Sequence, residues 1–175
     1  MTYQIDPKHS SVQFKVRHLM IANIKGEFDS FSGSAEFDPT KLDAARLEIS
    51  IDVNSIHTRE PHRDGSLTGP DFFDAGNYPA IAFRSKSIAA GAGGSYKVAG
   101  DLTIKGATRE VTLNVDSVSQ EITDHMGVLR RGASASTSIS RKDFGLTFKM
   151  EPATGGVIVS DNVDITLDVE LTRAA

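Results

Sequence analysis

The sequence predicts an all-β fold of about eight antiparallel strands, and three observations lead to that prediction. Apolar and polar residues alternate with period two in many segments, which gives each predicted strand one dry face and one wet face. No stretch between these segments has helical periodicity of the length that a parallel crossover needs. Turn-forming residues separate the segments instead.

Five segments alternate clearly and are predicted as strands: Ser11–Arg17, Arg46–Val53, Tyr96–Ile104, Val111–Val115 and Val163–Leu171. Three weaker segments complete the set: Ile24–Phe37, Ile81–Phe83 and Ala133–Ile139. The predicted turns include Asp38-Pro39, Gly91–Gly94, Lys105-Gly106 and Gly155-Gly156. Eight antiparallel strands form either a sandwich or a closed barrel, and the alternation alone leaves both open.

The segment 57–78 breaks the alternation and is expected to be a partly helical cap over one end of the strands. A connection of this length is usually functional or disordered, and the adjacent Phe72 and Phe73 argue against disorder because they favour burial. Pro70 favours a short helical turn over Asp71–Asp74. The alternative is a surface loop held down by the two phenylalanines.

Composition excludes several classes of function. The chain has no cysteine, which rules out disulfides, thiolate metal sites and cysteine nucleophiles. Its 19 basic and 23 acidic residues give a net charge of −4, so we predict no nucleic-acid binding. No apolar run reaches the length of a transmembrane helix, and the amino terminus lacks the pattern of a secretory signal. These features predict one domain over residues 1–175, located in the cytoplasm.

Catalytic and metal-binding templates are not matched, so we predict a protein that is not an enzyme and holds no metal. The chain has no serine elbow and no phosphate-binding loop. His57 and His62 flank Glu60, but their spacing differs from that of a helical zinc site and Pro61 interrupts it.

Two histidines and a charged pair remain candidates for contact with a ligand. Counting by twos puts His18 on the apolar face of its strand, as a ligand contact, a proton-transfer group or a satisfied core histidine. His9 precedes the same strand. Arg63 and Asp64 lie in the cap segment, where a polar head group would meet them, or else form a local ion pair or turn.

The ordered motifs of the chain resemble the YceI-like, polyisoprenoid-binding family. They are Asp6-Pro7-x-His9-Ser10, His18-Leu19, Gly26-x-Phe28, Ser55-Ile56-x-Thr58, Arg63-Asp64, Asp71-Phe72-Phe73-Asp74, Tyr78-Pro79, Gly100-x-Leu102-Thr103-Ile104-x-Gly106 and Ile139-Ser140-Arg141-x-Asp143-Phe144-Gly145. The resemblance covers nearly the whole chain. It implies an eight-stranded antiparallel, lipocalin-like barrel with a short helical cap, whose lumen binds a long amphiphilic lipid of polyisoprenoid or isoprenoid-quinone type. Many members carry an export signal that this sequence lacks, and the resemblance also leaves a homodimer open.

The inward faces of the predicted barrel mix large and small residues. Glycines and alanines grouped along one side would leave a groove, which a lipid tail would fill. The predicted lumen residues are Phe14, Val16, His18, Gly26, Phe28, Ile49, Ile51, Phe83, Gly100, Leu102 and Ala135. The predicted cap and mouth residues are His9, Arg63, Asp64, Phe72 and Phe73.

Two other functions compete with lipid carriage, storage or sequestration. The first is an enzyme acting on an isoprenoid or other hydrophobic substrate at the barrel mouth, with His9 or His18 as base and Arg63 holding an anionic head. The second is a β-sandwich without a cavity that contacts other proteins. A continuous tunnel through the strands would distinguish the barrel from the sandwich.

Overall fold

The computed structural model describes residues 1–19, 21–147 and 159–173. These residues form twelve strands, one α-helix and five short 3-10 turns. The strands are β1 (Thr2–Ile5), β2 (Ser11–His18), β3 (Ala22–Phe28), β4 (Phe31–Glu36), β5 (Arg46–Asp52), β6 (Ile56–His57), β7 (Ala80–Ala90), β8 (Tyr96–Ile104), β9 (Ala107–Val118), β10 (Ile122–Thr123), β11 (Leu129–Ser140) and β12 (Asn162–Arg173). The helix is α1 (Pro61–Thr68), and the turns are Pro7–His9, Leu42–Ala44, Val53–Ser55, Ala92–Gly94 and Arg141–Phe144. The turn predicted at Gly155-Gly156 lies outside the described residues.

Eight strands close into an antiparallel barrel. The order around the ring is β1, β4, β5, β7, β8, β9, β11 and β12, and β12 pairs again with β1. Closure leaves these strands without a free edge. The predicted antiparallel barrel is therefore confirmed, and the sandwich alternative is excluded.

The short strands lengthen the barrel at one end. β12 pairs with β1 at Leu171 and Thr172 and with β2 from Asp164 to Asp168, so β2 continues the wall that β1 begins. β3 pairs with β2 and β6 pairs with β3. The β2–β3 hairpin, from Val12–Phe28 to His18–Ala22 in register, therefore belongs to the same end of the barrel as β6 and the helix that follows it.

Alternation of residues places the core inside the ring. Along β8, Val98, Gly100, Leu102 and Ile104 are buried, whereas the residues that alternate with them are more accessible. Register shifts occur between Ser85 and Ser87 in β7 and between Ser134 and Ala135 in β11. Such bulges increase the local twist that a closed sheet needs.

The predicted strand segments are confirmed with some changes in their bounds. The predicted Ile24–Phe37 strand divides at Asp29-Ser30 into β3 and β4. β1 was not predicted because it has only four residues before the bend at Asp6-Pro7. The predicted Ile81–Phe83 strand extends to the whole of β7. Its outer positions are largely alanine, serine and charged residues, which weakens the alternation there.

The cap segment is partly helical as predicted, but the helix lies elsewhere. The prediction of a helical turn at Asp71–Asp74 was wrong, since these residues form hydrogen-bonded turns and the helix is Pro61–Thr68. Pro61 occupies the first helical turn, where its missing N–H costs nothing. The Glu60 carboxylate caps the helix by accepting hydrogen bonds from the N–H groups of His62 and Arg63.

Candidate functional site

The barrel contains an apolar cavity of about 410 Å³ beneath the cap. This volume falls in the range of about 300–1,000 Å³ that small-molecule sites occupy. Inward residues of the wall strands supply most of the lining, and the cap covers it. The wall residues include Val12, Phe14, Val16, Ile24, Phe28, Ile49, Ile51, Ile81, Phe83, Leu102, Ile104, Val111, Leu113, Ile139, Val163, Ile165 and Leu167.

A second cavity of about 90 Å³ lies farther along the barrel. Ala35, Val98 and Ala135 line it, and polar groups are nearly absent from its surface. Three side chains line both cavities: Ile49, Leu113 and Leu167. They come from β5, β9 and β12, and they form a constriction across the lumen. The lumen is therefore two apolar compartments with an aliphatic constriction between them.

A chain of aromatic rings joins the barrel wall to the cap. The ring centroids of Phe14 and Phe28 are 5.6 Å apart, those of Phe28 and Phe73 are 6.2 Å apart, and those of Phe72 and Phe73 are 5.0 Å apart. The last two pairs are edge-to-face, a favourable arrangement for aromatic rings. The Phe73 N–H donates to the carbonyl of Leu67, which ties the aromatic turn to the helix. The two phenylalanines are therefore part of the cavity roof.

Polar groups at the cavity cluster under the helix. The Thr58 hydroxyl is buried, donates to Asp64 Oδ1 at 2.6 Å and accepts from Arg63 Nε at 2.7 Å. Arg63 Nη2 also donates to the Thr58 carbonyl. Arg63 and Asp64 thus each form a hydrogen bond with Thr58, and Thr58 connects the two residues of the predicted local pair. His62, Arg63 and Ser66 line the cavity beside them.

The charge of the cavity lining is positive or neutral. Its ionisable side chains among the described residues are His62, Arg63 and Arg141, and it includes no carboxylate. Arg141 is buried and donates to the carbonyls of Leu146 and Ser160, so it fixes the chain that follows β11. The lining therefore favours a ligand whose polar end accepts hydrogen bonds.

A groove on the outside of the barrel adjoins the large cavity. Residues that line both are Gln13, Phe14, Ile24, Thr58 and Arg63. β6 pairs with β3 only at Glu27 and Phe28, so within the described ranges the edge of β3 from Ala22 to Gly26 has no strand partner. This edge of β3, the lateral gap, lies where the cavity and the outer groove share lining residues.

A charged network lies at the opposite end of the barrel. The Tyr3 side chain is fully buried, and its hydroxyl binds Glu121 and accepts from Arg131 Nε. Arg173 holds Glu121 through two hydrogen bonds of 2.8 and 2.9 Å. Arg173 and Tyr3 together lower the pKa of Glu121 to about 2. Nearby, hydrogen bonds from Arg130 and the backbone lower the pKa of Asp124 to about 2.

The structure brings most of the predicted lumen residues together. Those that line the large cavity are Phe14, Val16, Phe28, Ile49, Ile51, Phe83 and Leu102. Of the predicted mouth residues, Arg63, Phe72 and Phe73 also line it. Ala135 lines the smaller cavity. Asp64 accepts a hydrogen bond from the Thr58 hydroxyl, which is also bound by Arg63. The constriction and the lateral gap were not predicted, because both depend on which strands meet across the lumen.

The expectation that glycines leave a groove was wrong at the positions tested by geometry. A Cβ on Gly26 would lie 2.2 Å from Phe14 Cζ, and one on Gly100 would lie 2.6 Å from Phe83 Cζ. Each glycine is therefore covered by a phenylalanine ring from the neighbouring strand. The large cavity lies among aliphatic and aromatic side chains, whereas alanines contribute to the lining of the smaller one.

The two histidines proposed as bases are not among the residues that line the two cavities. His9 is largely exposed, and its Nδ1 bonds Asp6 Oδ2 at 2.8 Å, with Glu170 next to it. His18 ends β2 opposite Ala22 and lines neither cavity. Neither histidine lines the cavity that Arg63 lines, so the geometry required by the enzyme hypothesis is not formed.

Comparison with known proteins shows the family to which the chain belongs. The YceI-like domain matches residues 3–171. The chain belongs to the YceI-like family. A UPF0312 protein of Shewanella denitrificans is 36% identical over 170 residues, covering 96% of this chain and 85% of the relative. A UPF0312 protein of Staphylococcus aureus, SA2479, is 33% identical, with 97% and 96% covered.

Solved structures of YceI-like proteins have the same fold. BcnA of Burkholderia cenocepacia superposes with a TM-score of 0.83 at 30% identity, over 95% of this chain and 98% of that one. The Campylobacter jejuni YceI protein gives a TM-score of 0.76 at 28% identity, over 91% and 90%. A polyisoprenoid-binding domain from Saccharophagus degradans gives 0.71 at 18% identity, over 97% of each chain, and that likeness concerns the fold alone.

Proposed function

We propose that this YceI-like protein binds a long amphiphilic lipid, of polyisoprenoid or isoprenoid-quinone type, inside the barrel for carriage, storage or sequestration. The observation that carries the proposal is the capped apolar cavity of about 410 Å³. Water in such a cavity would find few polar partners, so an apolar ligand gains the free energy of leaving water. The polyisoprenoid-binding domain with the same fold supports this ligand class.

The ligand would lie with its head under the cap and its tail toward the constriction. His62, Arg63 and Ser66 supply hydrogen-bond donors at the cap, and these suit a phosphate, a hydroxyl or a quinone carbonyl. The wall below them is aliphatic and aromatic as far as Ile49 and Leu113. A methyl-branched tail matches such a wall, and each buried methylene contributes about 0.8 kcal/mol.

Native mass spectrometry of freshly purified protein tests the proposal. We expect a bound mass that organic extraction releases as a prenyl lipid or prenyl quinone. The same spectrum counts the subunits and so tests whether the protein is a homodimer. An empty protein that also fails to take up added geranylgeraniol or a short-chain ubiquinone would exclude the function.

A matched pair of variants separates head-group binding from folding. Arg63→Gln removes the charge beside the head but keeps hydrogen-bond donors, and we expect weaker binding of prenyl phosphates than of the corresponding prenyl alcohols. Arg84 lies on the outside of the barrel, where it pairs with Glu48 at 3.2 Å. Arg84→Gln should leave both affinities unchanged. Equal losses for phosphate and alcohol in Arg63→Gln would place the head group elsewhere.

None of the described helices has the length and apolar character needed to cross a bilayer. The proposed carriage of a lipid requires that the ligand enter from one lipid environment and leave to another. The lateral gap beside β3 is the route that the geometry favours, because the same residues line the cavity and the outer groove.

A further inference from the structure

The hairpin beside the lateral gap has an unusual sequence for this chain. The range from Pro7 to Gly26, which spans most of the hairpin, has four basic residues and no acidic one, although the chain as a whole has a net charge of −4. The one acidic residue of β2 and β3 is Glu27, at the base of the hairpin. The basic residues are Lys8, Lys15, Arg17 and Lys25. The last three belong to β2 and β3, so positive charge is concentrated on one projecting hairpin.

The two lysines of the hairpin are directly opposite each other. Lys15 of β2 is in register with Lys25 of β3, and both are exposed. Like charges at facing positions of an antiparallel pair destabilise the sheet. Among the described residues, the acidic side chains near them are Asp164, 3.9 Å from Lys15 Nζ, and Glu27, which accepts from Gln13. An anionic partner outside the barrel would relieve this repulsion.

The tip of the same hairpin is apolar and exposed. The Leu19 side chain is 42% exposed and that of Ile21 is 81% exposed, the largest value among the exposed large hydrophobic residues that the structure describes. Leu19 has a φ of 51°, so the tip turns tightly between His18 and Ala22. Apolar groups flanked by basic ones are typical of segments that enter the interface of an anionic bilayer.

The hairpin is also part of the cavity wall. Val16 and Ile24 face each other across β2 and β3, and both line the large cavity. Lys25, Arg59 and Arg63 line the groove that adjoins the gap. A surface that met Leu19 and Ile21 would therefore lie next to the lateral gap.

We propose that the β2–β3 hairpin docks the protein on an anionic lipid surface, with Leu19 and Ile21 inserted and Lys15, Arg17 and Lys25 facing the head groups. A bilayer fits better than a protein partner because two apolar side chains at a tip offer far less area than a specific protein interface of about 1,200 Å² or more. Its purpose rests on the proposed function, since docking would let a membrane lipid move through the gap without crossing water.

Co-sedimentation with vesicles tests the docking surface directly. We expect the protein to bind vesicles of phosphatidylcholine with phosphatidylglycerol, to bind pure phosphatidylcholine at least about tenfold more weakly, and to lose binding as salt rises. Ile21→Ser should weaken vesicle binding about tenfold, because the variant loses the free energy that one large aliphatic side chain gains on insertion. The double variant Lys15→Gln/Lys25→Gln should remove the preference for the anionic vesicles and unfold at a temperature no lower than wild type.

Ile122→Ser is the matched control. Ile122 is 63% exposed in the β10–β11 hairpin, and its partner in register, Arg130, lies opposite Thr172 near the other end of β12. That substitution should leave vesicle binding unchanged. Equal loss in Ile122→Ser and Ile21→Ser, or no binding of wild type to anionic vesicles, would overturn the proposal. Self-association that Ile21→Ser abolishes, without vesicle binding, would assign the tip to a second copy and also overturn it.

The outcome is separable from that of the proposed function. Vesicle binding without any lipid in the cavity would remove the carriage role and leave the docking surface intact. A lipid-loaded protein that ignores vesicles would remove the docking surface and leave the carriage role intact.

Discussion

Shortening one side chain at the constriction should change the length of lipid that the barrel accepts. Leu113 is buried and lines both the cavity of about 410 Å³ and the cavity of about 90 Å³. Leu113→Ala removes three carbon atoms from between them. We therefore expect the two compartments to join and the tail of a longer prenyl chain to reach the far one.

The expected gain follows from the space that the substitution vacates. Three additional buried tail carbons contribute about 2.4 kcal/mol at about 0.8 kcal/mol each. Ordering that part of the tail costs about 1 kcal/mol, so about 1.4 kcal/mol remains, which is a tenfold change in affinity. The fold should lose about 2 kcal/mol, near the lower end for truncating a buried leucine, because one side of Leu113 already faces a cavity.

The assay is a series of prenyl alcohols of increasing length, titrated by displacement of a fluorescent lipid. Wild type and Leu113→Ala should bind the shortest alcohols with equal affinity. From the chain length at which the affinity of wild type first falls, the variant should bind about tenfold tighter than wild type. Leu171→Ala is the matched control, since Leu171 is similarly buried but lines only the smaller cavity. Identical profiles for wild type and Leu113→Ala, or the same shift in Leu171→Ala, would refute the constriction.

Three further predictions concern the wall, the roof and the far end. Gly100→Ala should destabilise the fold by about 1–3 kcal/mol in urea unfolding, because the new Cβ would meet the Arg84 carbonyl at 2.5 Å; Gly26→Ala should cost less, since only a ring opposes it. Phe73→Ala should speed lipid dissociation about three- to tenfold in stopped-flow, because the roof loses one ring of its aromatic chain. The unfolding temperature should fall as the pH drops from 4.5 toward about 2, where Glu121 gains a proton and gives up its bonds to Arg173; Glu121→Gln should lower it at neutral pH and flatten that decline.

The fold could be predicted from the sequence because period-two alternation acts locally. Each strand face is specified by residues two apart, as in β8, and the turns by glycine and proline. The position of the helix in the cap was harder to predict, because a proline such as Pro61 can either interrupt a helix or begin one. Glu60 was the signal that could have decided it, because a carboxylate just before Pro61 is a typical helix cap.

The contents of the lumen could be predicted only in part. The identity of the inward residues follows from alternation, and Phe14, Phe28 and Phe83 lie where it predicts. Whether a small residue leaves free space depends on what its neighbour across the sheet does, and this information is not local. Phe14 lies opposite Gly26 in register, so the ring fills the space that the glycine leaves. Because large residues pair with small ones across strands, the free volume of the lumen could not be predicted from the residues of one strand alone.

The two ends of the barrel differ in the charged groups that they carry. At the far end the arginines hold carboxylates, and Arg131 and Arg173 each place a guanidinium 5.7 Å from the centroid of the Tyr3 ring. At the cap end Lys15 and Lys25 line the outer groove together with Glu27 and Asp164. A lipid that binds as proposed would therefore pass beside the hairpin, because the far end presents ions to an apolar tail. On the same proposal, the constriction at Ile49, Leu113 and Leu167 would limit the length of the tail.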